Sequence, residues 1–231
     1  MMKKKKRSKK SIADHPDVQR MYALSVEYCE LLEKGTRSQR YLLRHLGDLL
    51  PQLFATAMAL PYASCSRRIQ RELSHCSRYV SGWDQPPSNQ RIAKNSPYLD
   101  TVVSIKPIFK VTSRIRNILD EYDKYRHTFD PYHDQDLMSS TLSNDLADIW
   151  HDIRQARLLF EFDEDAAKKH AVWDWSFHVR VHWGSSHYCD AMKAIFFAMS
   201  DIGDDDWQYR AMTAKRLPRG QYRRTKRRKK V

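Results

Sequence analysis

Asp145, Asp148 and Asp152 fall within one short run, DLADIWHD, at spacings of three and four residues. In a helix this spacing places the three carboxylates on one stripe, with Leu142, Ile149, Ile153 and Phe160 on the neighbouring apolar face. Such a stripe could hold a metal in a helical bundle if it converged with His187, or with His178 and His182 at i and i+4. Bundle centres of that kind use Glu and a Glu-x-x-His pair. This chain offers Asp, and its Asp148-x-x-His151 pair is splayed across about 60° of helix. The same residues also suit a structural network. Asp145 near a helix start is favoured by the dipole, Asp148 can pair with solvent or a neighbouring helix, and Asp152 can accept from His187 or a tryptophan indole. Both readings stay open for a candidate polar site of Asp145, Asp148, Asp152, Trp183 and His187.

Other chemistry is less marked. Trp183-Gly184 reads as a point where glycine lets a neighbouring helix approach, and His178 and His182 read as solvent-facing in the absence of a third ligand. There is no nucleophile elbow, phosphate-binding loop, dinucleotide fingerprint or zinc-knuckle spacing, so no cofactor is expected and an enzyme is not indicated. The four cysteines form no CxxC pair, which fits free thiols in a reducing cytoplasm. Cys29 and Cys189 read as core residues.

The charge is unevenly distributed. Residues 1–10 hold Lys3, Lys4, Lys5, Lys6, Arg7, Lys9 and Lys10 and no acid. Residues 215–231 hold ten Lys or Arg, among them Arg223, Arg224, Lys226, Arg227, Arg228, Lys229 and Lys230, again with no acid. Outside these 17, 24 basic residues face 28 acidic ones, so the net charge of +13 resides in the tails while the span between them is mildly acidic. Dense Lys and Arg with Tyr222 as the one aromatic residue would neutralise phosphates with little regard to sequence, so RNA or DNA is the expected partner of the tails. Folding back onto the acidic DIGDDDW run, solubility, or an anionic lipid surface are the alternatives, the last without an amphipathic helix or lipidation motif to support it. The helical body is expected to carry a separate protein partner.

The elements that must position these groups are helical. Residues 18–32 show apolar recurrence at helical spacing between Pro16, suited to a first turn, and Gly35, suited to a C-terminal cap. A second helix begins near residues 36–38 and runs to Leu60, with a kink or break at Pro51. Its uncharged run from Leu49 to Ser66 approaches membrane-spanning length, but Pro51, Gln52 and Pro61 make it a buried helix, and no transmembrane segment or secretory leader is expected. Residues 64–107 read as a loop-rich insertion with one short helix, RRIQRELSHCSRYV, followed by loop. Further helices are expected over residues 111–126, 140–162 and the C-terminal DAMKAIFFAM. WDWSFHVRVHW alternates strictly, as a strand would, yet its flanks favour helix and a lone strand has nothing to pair with, so helix is the reading.

STLSNDLADIWHDIRQ, followed some thirty residues later by HWGSSHYCDAMKAIFFAM, resembles two signature segments of the bacterial domain of unknown function 5063 family. YCELLEK is similar to that family's first helix. The resemblance implies an all-α fold and no particular activity. Trp150 stands where the family has tyrosine, and the basic tails and the long basic 64–107 segment are departures. The expected protein is therefore a cytoplasmic, all-α, bundle-like domain of about five to seven helices over residues 16–214. Disordered basic arms flank it at 1–15 and 215–231. Its expected role is a binding or adaptor module that touches nucleic acid or a ribonucleoprotein, and the alternative is a metal-dependent hydrolase-like bundle using the aspartate stripe with His187.

Overall fold

The computed structural model describes residues 11–35, 38–83, 85–128 and 137–202. The predicted nucleic-acid contacts, Lys3 to Lys10 and Arg223 to Lys230, lie outside these residues. Within them are eight α-helices: α1 (Pro16–Glu33), α2 (Gln39–Ala59), α3 (Arg67–Val80), α4 (Pro87–Asn95), α5 (Ile105–Leu119), α6 (Leu142–Phe160), α7 (Asp165–Val181) and α8 (His187–Ile202). One antiparallel pair of short strands, β1 (Lys124–His127) and β2 (Met138–Thr141), completes the set, with Lys124 opposite Thr141.

Helix α6 is the hub, packing against α1, α5, α7 and α8, while α2 closes the bundle against α1, α7 and α8. The core is built from Met21, Tyr28, Leu43, Leu46, Leu50, Leu146, Ile149, Trp150, Trp175 and Ile195, all at most 1% exposed. Burial of each such side chain contributes about 1.5–3 kcal/mol before conformational entropy is counted. Tyr28 also hydrogen-bonds the Leu146 carbonyl at 2.9 Å, so its buried hydroxyl is satisfied and α1 is registered against α6.

Four sequence expectations change. Of the kink or break expected at Pro51, the break is absent: α2 runs through it, because a proline removes a single intrahelical bond and the flanking Leu49, Leu50 and Leu53 are buried in the core. The segment after α3 is not all loop: α4 starts on Pro87 and buries Ala93 against α3, where the Cys76 thiol reaches the Ala93 carbonyl. It takes the helices to eight. The helix expected to end at residue 126 stops at Leu119, and Asp120 takes a positive φ of 50°. The chain then turns into β1, and Asp123 caps α6, its carboxylate accepting from Ser143 N at 2.8 Å and its carbonyl from Leu142 N at 2.7 Å.

The alternating WDWSFHVRVHW is helical through Val181, as expected, and its burial explains the ambiguity. Val172, Trp175 and Val179, at i, i+3 and i+7, are buried, whereas Phe177 and Val181 are exposed. Gly184 departs from the sequence reading: it lies in the turn between α7 and α8, where a Cβ would fall 2.0 Å from the Val179 carbonyl oxygen. The close approach is to the end of the helix just completed, not to a neighbouring one. No helix among the described residues is long and apolar enough to cross a membrane.

Candidate functional site

The aspartate stripe of α6 meets the α7–α8 turn, and each carboxylate has a histidine beside it. Asp145 Oδ1 accepts from His187 Nδ1 at 2.9 Å, and its second oxygen accepts from the Tyr125 hydroxyl of β1. The far ring nitrogen of His187 lies 3.8 Å from Asp148 Oδ2. One turn further on, Asp152 accepts from His182 Nδ1 at 2.7 Å and from His151 Nδ1 at 3.2 Å. The rings of His182 and His187 meet edge to face with centroids 5.0 Å apart. The sequence reading brought the stripe to His187, or to His178 and His182, and in its structural form paired Asp152 with His187 or an indole. The turn instead delivers His182 to Asp152 and His187 to Asp145, because His182 ends α7 and His187 starts α8.

The electrostatics follow the pairing. Burial works against the Asp152 charge, but the bonds from His151 and His182 outweigh it and hold its carboxyl well below the usual carboxylate range. The reciprocal bond raises His182 above an ordinary imidazole. Burial raises Asp148, partly offset by His187 and His182. The Tyr125 hydroxyl is pushed far up, first by burial and then by its bond to Asp145. The stripe thus ties α6, β1 and the α7–α8 turn together. Among the described residues no group of three or more His, Cys, Asp or Glu is arranged to hold a metal ion. Trp183 is fully buried beneath the turn, edge-on to Phe54 of α2, and its indole nitrogen finds no partner among the described residues.

Beside this network is a cleft of about 410 Å³ between α3, α6 and α7. Its wall carries Asp174, a residue sequence reasoning passed over. Asp174 is buried, its Oδ1 lies 3.4 Å from His178 Nδ1, and its Oδ2 has no hydrogen-bond partner among the described residues. Burial, reinforced by the nearby Asp152 charge, pushes its carboxyl up to about 8, so it is largely neutral at pH 7. His178, expected to face solvent, is mostly buried with its titration lowered by that burial. Its neighbour His182 is about half exposed. The available signal for Asp174 was its place on the face of α7 that carries Ala167 and Ala171, with His178 one turn on. Tyr125 gave none, because its segment read as helix.

A second concavity, of about 710 Å³, lies where the end of α1 meets α5 and α6. Lys34, Lys106, Lys110, Arg114 and Arg154 line it, against Glu33 as the acid of its lining. Arg154 bonds Glu33 at 3.1 Å and stacks 5.4 Å from the buried Trp150 ring, and Arg114 donates to the Glu33 carbonyl at 2.6 Å, capping α1. Lys106 and Lys110, one turn apart on α5, are exposed and have no carboxylate partner among the described residues. Of the cysteines read as core residues, Cys29 is buried, whereas Cys189 is exposed on the outer side of α8.

The family model described as "Domain of unknown function (DUF5063)" matches residues 14–201. The fold is similar to the crystal structure of protein BF1032 from Bacteroides fragilis, with a TM-score of 0.58 and 17% identity over 83% of this chain and 97% of that one. No match was found among the curated proteins.

Proposed function

The chain belongs to the domain of unknown function 5063 family, and we propose that it is a nucleic-acid-binding module. In this reading the helical body offers a basic groove, and the two lysine- and arginine-rich tails add phosphate contacts that do not depend on sequence. The observation that carries it is the groove between α1, α5 and α6, where five cations line one concavity against Glu33 and two of them, Lys106 and Lys110, are exposed without an acidic partner among the described residues. Cations held this way favour a polyanion, since each phosphate they neutralise releases counterions. The tails, with 17 Lys or Arg and no acid, extend the same chemistry along the chain.

The test is anisotropy of labelled RNA and duplex DNA against salt, using the full chain, a Lys106→Glu/Lys110→Glu variant, and a chain whose tail Lys and Arg are replaced by Gln. Affinity that falls steeply with salt is expected. The double variant should flatten the log–log slope by about one for each lysine, and the tail variant by more. No binding, or binding insensitive to salt, would overturn the proposal. The metal-dependent hydrolase reading has less to support it, because two of the three carboxylates it requires, Asp145 and Asp152, are already hydrogen-bonded to histidines and, for Asp145, to Tyr125.

A further inference from the structure

We infer that the cleft between α3, α6 and α7 is a pocket for an unpaired nucleobase, stacked on its aromatic wall and read through its polar edge by Asp174 and His178. The nucleic-acid reading above supplies the source of the base, and on that point the inference rests on it. Three features of the cleft combine to suit this ligand.

The first is a polar edge without partners. The Asp174 side chain is only 6% exposed, yet its Oδ2 has no hydrogen-bond partner among the described residues, and neither has the buried Nδ1 of His178 beside it. A buried group in this state is costly to leave unsatisfied, so a ligand that satisfies it gains affinity and selectivity. A neutral carboxyl next to an imidazole both donates and accepts, which complements the amide and amine edges of a base.

The second is a π surface. Trp173 stacks on Phe177 with centroids 4.9 Å apart and planes 18° apart, and Phe177 keeps 41% of its surface exposed. Trp83, 68% exposed after α3, lines the same cleft, as does Arg78, whose guanidinium suits a phosphate at the rim. Exposed aromatics beside a cation are the platform on which unstacked bases are held.

The third is continuity with the basic groove. Trp150 and Arg154 of α6 line the groove, and the next residues on the same helix, His151 and Gln155, line the cleft. A strand following Lys106, Lys110 and Arg154 would pass α6 with its bases beside the cleft. The cleft volume of about 410 Å³ lies within the range of about 300–1,000 Å³ common for small-ligand sites.

The experiment uses the full chain with three probes: single-stranded RNA, an abasic ribose-phosphate strand of equal length, and nucleoside monophosphates. Affinity and tryptophan quenching are measured for the wild type, Trp83→Ala and Asp174→Asn. Trp83 is exposed, so its replacement tests the site without disturbing the core. The expected result is that RNA binds about tenfold more tightly than the abasic strand, the scale of one base–aromatic stack, that Trp83→Ala erases this difference, and that Asp174→Asn changes the preference among the nucleoside monophosphates, while the salt slope persists. Equal affinity for RNA and the abasic strand in the wild type would overturn the pocket while leaving the polyanion reading intact. If no strand binds, the polyanion reading fails. Quenching by nucleoside monophosphates that is lost in Trp83→Ala would then retain the cleft as a site for free nucleotides, and its absence would overturn the cleft as well.

Discussion

Asp174→Asn should stabilise the protein at alkaline pH. An exposed aspartate titrates near 3.8, whereas Asp174 in the fold titrates at about 8 because it is buried and close to the Asp152 charge. Between those two values the unfolded chain has released this proton while the folded chain still holds it. Stability therefore falls as pH rises through the window, by at most about 1.4 kcal/mol per pH unit. The full window sets a ceiling of about 6 kcal/mol, and water entry on ionisation lowers the realised figure to about 2–4 kcal/mol at pH 8. Asparagine is close to the neutral carboxyl in shape and carries no ionisation penalty. It should match the wild type within about 1 kcal/mol near pH 4.5 and exceed it progressively up to pH 8. Urea denaturation at pH 4.5, 6, 7 and 8, comparing midpoints at constant m, measures this directly. The other titratable groups facing Asp174 are His178, Asp152, His151 and Cys65, and both proteins retain them. A variant destabilised equally at every pH, or most at pH 8, would refute the reasoning. That result would mean Asp174 is ionised and paired with a His178 cation. If the pocket inference holds, the wild type tolerates this instability for the sake of the ligand edge.

The Asp152–His182 pair should show the opposite limits. Asp152 is depressed, so its stabilisation is present above the ordinary carboxylate range and is lost as pH falls through the folded value. His182 is raised, so its stabilisation is complete below about 6.5 and is lost as pH rises through its folded value. A double-mutant cycle with Asp152→Asn and His182→Gln should give a coupling of about 1 kcal/mol at pH 5.5, since His182 is half exposed, that shrinks by pH 9; a pH-independent coupling would count against the charge pair. Tyr125→Phe removes the hydroxyl that bonds Asp145 and should cost about 1–2 kcal/mol in chemical denaturation; an unchanged midpoint would show that β1 does not brace α6. Gly184→Ala would place a Cβ 2.0 Å from the Val179 carbonyl and should lower the thermal midpoint by several degrees, whereas an unchanged midpoint would mean that the turn can shift.

The all-α class and most helix positions were legible in the sequence because helical periodicity is local. Val18, Met21, Leu24 and Tyr28 recur on one face of α1 whatever packs against it, and each is buried as that recurrence implies. The family resemblance was legible for the same reason, since its two segments are continuous stretches of α6 and of the α7–α8 turn with α8. Carboxylates on a stripe of α6 could likewise be found by counting. Which histidine each one meets could not, because His182 and His187 are separated from α6 by a whole helix and are aimed by the turn at Trp183 and Gly184. The strands at Lys124 and Met138 pair beside Asp123, whose cap on α6 is a contact between residues twenty apart. The same holds for the sites. In the sequence Lys106 falls in the segment read as loop, Lys110 precedes the helix expected at 111, and Asp174 lies in the alternating run read as helix, so nothing singled them out. Only tertiary packing decided that Lys106 and Lys110 share a groove with Arg154 and that Asp174 faces a cleft with one oxygen unpartnered, since packing determines which polar groups lose water and which face one another across a gap.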